Sequence, residues 1–307
     1  MATVLTAEPG ARITVSSLIE ERRSRGELTQ EEVDHFYGFV SQVDRDLLHH
    51  RIITDNSYTR WFRDGNATDA ELRHFYRQFS VFSNQFLIAA LQKVINAPTV
   101  ERARAAKEIL MNELGVIYRR PGAGSRRAPE SDEDKDRDGD PEVVSTEGTV
   151  DGGTFRFQAA HFEWLCASGE ALGLGFANMG KRKFGRPSTL HFCDELIRLY
   201  GSDDAQIAQG ASFAVENWAA AGFWQELEDG LTRLKQTRHP RLRLAFFSWH
   251  NRLEAQHAGH VMEELEEAFF EPDFDAAKFF QGGHEVLDAI GVFRDGLHED
   301  RLHGSYT

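Results

Sequence analysis

The sequence predicts an all-α fold, and three observations carry that prediction. Apolar side chains recur every three or four residues along most of the chain, two Thr-x-x-Glu capping boxes open periodic runs, and alternating β-branched segments are lacking. Thr29-Gln30-Glu31-Glu32 opens the first run, whose Val33, Phe36, Phe39, Val40, Val43 and Leu47 fall on one helix face. Thr68-Asp69-Ala70-Glu71 opens a long helix through Phe75, Phe79, Phe82, Phe86 and Leu91 toward Ile95. Pro98 marks the next junction, and a helix follows from about 99 to 113. Further helices are expected near 157–175, 188–200, 203–236, 240–270 and 274–294.

One stretch breaks the pattern. Residues 118–155 are nearly free of large apolar side chains and cannot bury enough surface to offset their ordering entropy, so an exposed, flexible insertion is expected. Within it Asp134, Asp136, Asp138, Gly139 and Asp140 imitate the start of a calcium-binding loop. The twelfth loop position is Ser145 instead of a bidentate Glu, and neither flank reads as helix, which favours a solvated acidic loop. The expected organisation is an N-terminal extension with a helix over 1–54 and one helical domain over 55–307 that carries the insertion.

Charge and composition limit the function. With 35 Lys and Arg against 49 Asp and Glu, the net charge of -14 disfavours indiscriminate binding to nucleic-acid phosphate or an anionic membrane. Residues 130–142 alone hold eight acidic and two basic side chains, so much of the excess belongs to the insertion. Two cysteines, Cys166 and Cys193, make neither a disulfide framework nor a zinc ribbon, and they read as packed thiols. No segment approaches the roughly 20 apolar residues of a membrane span, and the first residues lack a secretory pattern. A cytoplasmic location is expected.

The chemistry lies where ionisable side chains interrupt apolar stripes. His250, Glu254 and His257 sit at i, i+4 and i+7, on one helix face with Phe246 and Phe247 upstream and Val261, Leu265 and Ala268 downstream. Burying such groups unpaired is costly, and metal coordination is a common way to offset it. Glu216 stands within the stripe Phe213, Ala220, Phe223, Leu227 and Leu234. Glu113 ends the stripe Ala106, Ile109 and Leu110, and His161 shares its side with Phe157, Trp164, Leu165, Ala171 and Leu172. Three Glu and three His suit two divalent ions, and imidazoles favour iron, zinc or copper over calcium or magnesium. Ferritin-like bundles need two Glu-x-x-His motifs; Glu254–His257 supplies one, which argues against that arrangement.

The order Glu113-Leu-Gly, His161-Phe-Glu-Trp-Leu with Ala171-Leu-Gly173, Glu216, then His250-x3-Glu254-x2-His257 resembles the haem-oxygenase-like di-iron oxidases and oxygenases. The likeness covers roughly residues 55–295, and Trp61-Phe-Arg-Asp-Gly-Asn-Ala-Thr is similar to the family's opening. The resemblance implies a helical fold without haem and two iron ions, an Fe(II) pair reacting with O2. By matching positions it implies Glu113, His161, Glu216, His250, Glu254 and His257 as ligands, with Glu216 or Glu113 bridging. The chain departs from the family in having Glu254 where Asp is common, and in the long insertion between Glu113 and His161. The implied activities are N-oxygenation, desaturation, decarboxylation and C–C cleavage. N-oxygenation of an amine or amino-acid-derived metabolite ranks first because an acidic protein does not repel a cationic substrate. The expected partners are a small-molecule substrate, O2, an external electron donor and a second copy of the chain, with no nucleic acid and no membrane.

Phe79, Phe82, Phe86, Phe223 and Trp224 are candidates for a dry wall around such a site, or are plain core; His191, His260 and His284 read as structural or surface residues. Other readings stay open at this point: a thiaminase-like hydrolase or small-molecule carrier of related fold, a zinc hydrolase, and an interaction protein that docks through its acidic insertion.

Overall fold

The computed structural model describes residues 17–118, 153–155 and 160–306. For 116–118, 153–155, 252–258 and 260 it describes the backbone alone. The fold is all-α. In chain order the helices are α1 (Leu18–Ser24), α2 (Gln30–Val43), α3 (Arg51–Thr54), α4 (Ser57–Arg63), α5 (Asp69–Ile95) and α6 (Val100–Glu113). They continue as α7 (His161–Gly169), α8 (Pro187–Tyr200), α9 (Ala205–Trp218), α10 (Trp224–Thr237), α11 (Ala245–Ala268) and α12 (Ala276–His303). Among the described residues no helix is long and apolar enough to cross a membrane.

Local chemistry sets the starts of α2 and α5. At each, the threonine hydroxyl accepts the N–H of the glutamate three residues on, and that glutamate accepts the threonine N–H, at 2.8 Å for Thr29 and 2.7 Å for Thr68. All six apolar positions from Val33 to Leu47 are buried. The stripe of α5 is buried at Phe75 and Phe79, but Leu91 and Ile95 stand 48% and 68% exposed. One edge of its last turns outruns the core and faces solvent, while Gln92, Lys93 and Val94 stay half-buried.

α9 and α12 form the most intimate pair. A Cβ built on Gly210 would lie 1.9 Å from the Phe279 carbonyl oxygen, and one on Gly282 would lie 2.1 Å from that of Ile207. Only hydrogen side chains let these backbones meet so closely. Phe36 and Phe39 of α2 pack against Phe269 and, at Phe39, Phe279, so the N-terminal helices share the same core.

The structure differs from the sequence reading in three places. The helix expected over 203–236 is two helices joined by a wide turn at 219–223, where Gly222 has φ +99°. The turn resets the register, which leaves Ala220 exposed while Phe223, Leu227 and Leu234 stay buried. The last helix runs past 294 to His303 and ends on left-handed Gly304. Finally, β1 (Val116–Tyr118) pairs antiparallel with β2 (Gly153–Phe155), Val116 opposite Phe155 and Tyr118 opposite Gly153. Three-residue strands are too short for a period-2 pattern to register in the sequence. The acidic run and its calcium-loop likeness at 134–145 lie outside the described residues.

Candidate metal centre

The end of α6, the start of α7 and the second turn of α11 converge. Glu113 is the last residue of α6; Gly115, at φ +94°, turns the chain sharply into β1. His161 is the first residue of α7, 6% exposed, and its Nδ1 lies 2.8 Å from Glu113 Oε1. His250 enters from α11, its ring 4.8 Å from that of His161. One ligand atom from each of Glu113, His161 and His250 lies within 4.8 Å of the other two.

Ligands at right angles on an ion about 2.1 Å away sit roughly 3 Å apart. The 2.8 Å between His161 Nδ1 and Glu113 Oε1 is a hydrogen bond whose length is compatible with that spacing. His250 Nδ1 donates to the Phe246 carbonyl at 2.6 Å, which places a proton on Nδ1 and fixes the ring's orientation. The His250 ring is held flat against Trp224, with centroids 4.5 Å apart and planes 22° from parallel, and rests on Phe246 at 4.3 Å.

Glu113, His161, His250 and Glu216 line one cavity of about 110 Å³. Its apolar wall includes Phe82, Phe86, Val215, Trp218, Trp224 and Phe246. Of the expected wall aromatics, Phe82, Phe86 and Trp224 face the cavity; Phe79 and Phe223 pack behind it, against Trp224. Trp218, Phe246 and Trp249 belong to the wall and were not singled out for it in the sequence. Trp218 stands two residues after Glu216 and Trp249 one before His250, positions that a straight-helix wheel turns away from the stripe.

Glu254 and His257 occupy α11 four and seven residues beyond His250; their side chains, like that of His260, lie outside the described residues. His191 is exposed and His284 half-buried. Cys193 is buried and Cys166 half-buried; burial pushes their thiols up to about 12 and about 11. Neither cysteine lines the cavity.

No family model and no curated protein matches the chain. Solved structures do. A CADD-like protein of unknown function from Nostoc punctiforme PCC 73102 superposes with TM-score 0.55 at 16% identity, covering 87% of this chain and 98% of that one. A second structure of that same protein gives TM-score 0.54 at 15% identity, covering 88% and 97%. A domain of unknown function with a heme oxygenase-like fold from Shewanella denitrificans OS217 gives TM-score 0.54 at 14% identity, covering 91% and 97%. At these identities the likeness is one of fold, and the fold of this chain is the haem-oxygenase-like fold.

Proposed function

We propose that the chain is a non-haem di-iron oxidase that uses O2 to oxidise a small metabolite, with N-oxygenation of an amine or amino-acid-derived substrate as the first choice. One observation carries the reading: Glu113, His161 and His250 bring ligand atoms within 4.8 Å of one another in an aromatic-walled cavity that Glu216 also lines. When bound, a ferrous pair supplies electrons to O2. The chain's own residues do the rest. The Phe246 carbonyl holds the His250 proton on Nδ1. Trp224 and Phe246 fix the ring plane, and Phe82, Phe86 and Trp218 keep water from the reacting atoms. Desaturation, decarboxylation and C–C cleavage need the same cavity and differ in the bond presented to it. A cysteine hydrolase is disfavoured, because both thiols are raised by burial and neither faces the cavity.

The test is anaerobic ferrous loading followed by metal analysis and O2 uptake with amine substrates. About two irons per chain are expected. His250→Ala and Glu113→Gln each lower that figure, and substrate accelerates O2 uptake in the loaded wild type. Iron well below two per chain in the wild type, or wild-type loading in both variants, would end the di-iron reading.

A further inference from the structure

A second cavity, of about 220 Å³, adjoins the first and is bounded by α5, α6, α9 and α11. Ile109 belongs to the walls of both. The helix faces are continuous as well: Gln209 lines the second cavity, Ser212 follows, and Glu216 lines the first, all on one side of α9. From Ser212 to Glu216 is about one turn, or roughly 6 Å.

The polar groups of the second cavity are unusual. Lys93 Nζ donates to Ser212 Oγ at 2.7 Å and sits 4.5 Å above the Tyr200 ring, which leaves two of its three N–H groups for other acceptors. Burial pushes this amine below the usual lysine range, while the charges of Glu264 and Glu216 act in the opposite direction. Gln206 Oε1, also in the cavity wall, is buried and has no hydrogen-bond partner among the described residues. Glu264 lines the same space. The cavity thus offers, among its lining residues, a spare cationic donor, a spare neutral acceptor and a carboxylate.

We propose that this cavity binds the head of an α-amino acid, with its carboxylate on Lys93 and its ammonium on Gln206 and Glu264, and that the side chain passes Ile109 into the chamber lined by Glu113, His161, His250 and Glu216. A side chain of four or five atoms spans the turn between Ser212 and Glu216. The inference rests on the oxidase reading for what happens to that side chain, but the binding of the head does not require metal. Lys93 is a positioning residue here, since it holds the substrate away from the reacting atoms.

The experiment is calorimetric titration of the full-length protein, anaerobic, once iron-loaded and once with chelator. The probes are L-norleucine, hexanoate and pentylamine. L-Norleucine is expected to bind about tenfold more tightly than either half-molecule, the effect of one added charge-assisted hydrogen bond. Lys93→Met abolishes the preference over pentylamine, and Lys93→Arg, which keeps the charge, restores it; general loss of structure would not discriminate between the probes. Equal affinity for all three probes, or an undiminished preference in Lys93→Met, overturns the proposal. A norleucine preference that persists with chelator in a protein that loads little iron overturns the oxidase reading and supports this one.

Discussion

Replacing Gly210 with alanine tests the α9–α12 contact directly. The new Cβ would lie 1.9 Å from the Phe279 carbonyl oxygen, with the carbonyl carbon at 2.7 Å and Cα at 3.0 Å. These are backbone atoms of a long helix, so no rotamer change relieves the clash. A methyl carbon and a carbonyl oxygen touch at about 3.3 Å, and the helices must part by about 1.4 Å. The seam holds Phe213, Ala214, Phe279 and Val286, all at most 1% exposed. A radial gap of that order forfeits a quarter to a half or more of the contact energy along it. Overpacking costs of about 1–3 kcal/mol, occasionally more, set the scale, and alanine's helix preference returns about 1 kcal/mol. At the upper end of that scale the expected net loss is about 2 kcal/mol, or a fall in melting temperature of about 4–8 °C for a domain of this size. Gly38→Ala is the matched control: Gly38 lies in α2 with nothing within 4 Å of its would-be Cβ, and the variant should gain about 0.5–1 kcal/mol. Calorimetry on both variants, with and without iron, decides the matter. If Gly210→Ala melts at or above the wild type, or if the two variants shift alike, the seam argument is wrong.

Three other outcomes are expected. Arg294 is 1% exposed, has no hydrogen-bond partner for its guanidinium among the described residues, and rests 4.2 Å above the Phe223 ring; burial pushes it down to about 9. Arg294→Met should stabilise the protein by about 1–3 kcal/mol, read from the urea midpoint, and a loss would mean that the surrounding rings outweigh desolvation. Burial holds His74 below the usual histidine value, with Asp300 at 3.0 Å opposing. The folded state therefore keeps His74 neutral while the unfolded chain takes up a proton below about pH 6.5, so the stability present above that pH is lost as pH falls through the folded value. The melting temperature should drop between pH 7 and 5, and His74→Gln should flatten that slope. Because Tyr118 pairs with Gly153, replacing 119–152 with Asn-Gly would make a two-residue hairpin. That variant should load as much iron as the full chain, and a loss of loading would assign the removed segment a part in building the site.

What could be read from the sequence was mostly local. The two capping boxes involve residues three apart, and the structure realises both. The burial of Phe246, Phe247, Val261 and Leu265 around His250 was legible as a stripe, because one helix face obeys one period. The encounter of Glu113 with His161, 48 positions on, left no local trace beyond a polar residue on an apolar face. The break at 219–223 was hidden because Ala-Ala-Ala-Gly is compatible with helix until the positive φ of Gly222 is known. With the break unseen, the wheel misassigned Ala220. The Lys93–Ser212 contact joins two helices whose pairing no spacing rule predicts.

The wide turn at 219–223 has a mechanical consequence. On one side Gly210 locks α9 to the backbone of α12; on the other, a Cβ on Gly230 would lie 2.2 Å from the Phe62 carbonyl oxygen, so α10 is locked to the end of α4. Two clamped arms leave the change of direction in this stretch to the joint between them, where the irregular turn sits. Trp218 and Ala219, at that joint, are wall residues of the Glu113–His161–His250 cavity. Trp224, the first residue after the turn, lines the same cavity and stacks on His250, so the geometry of the turn sets the spacing of two walls of the cavity at once.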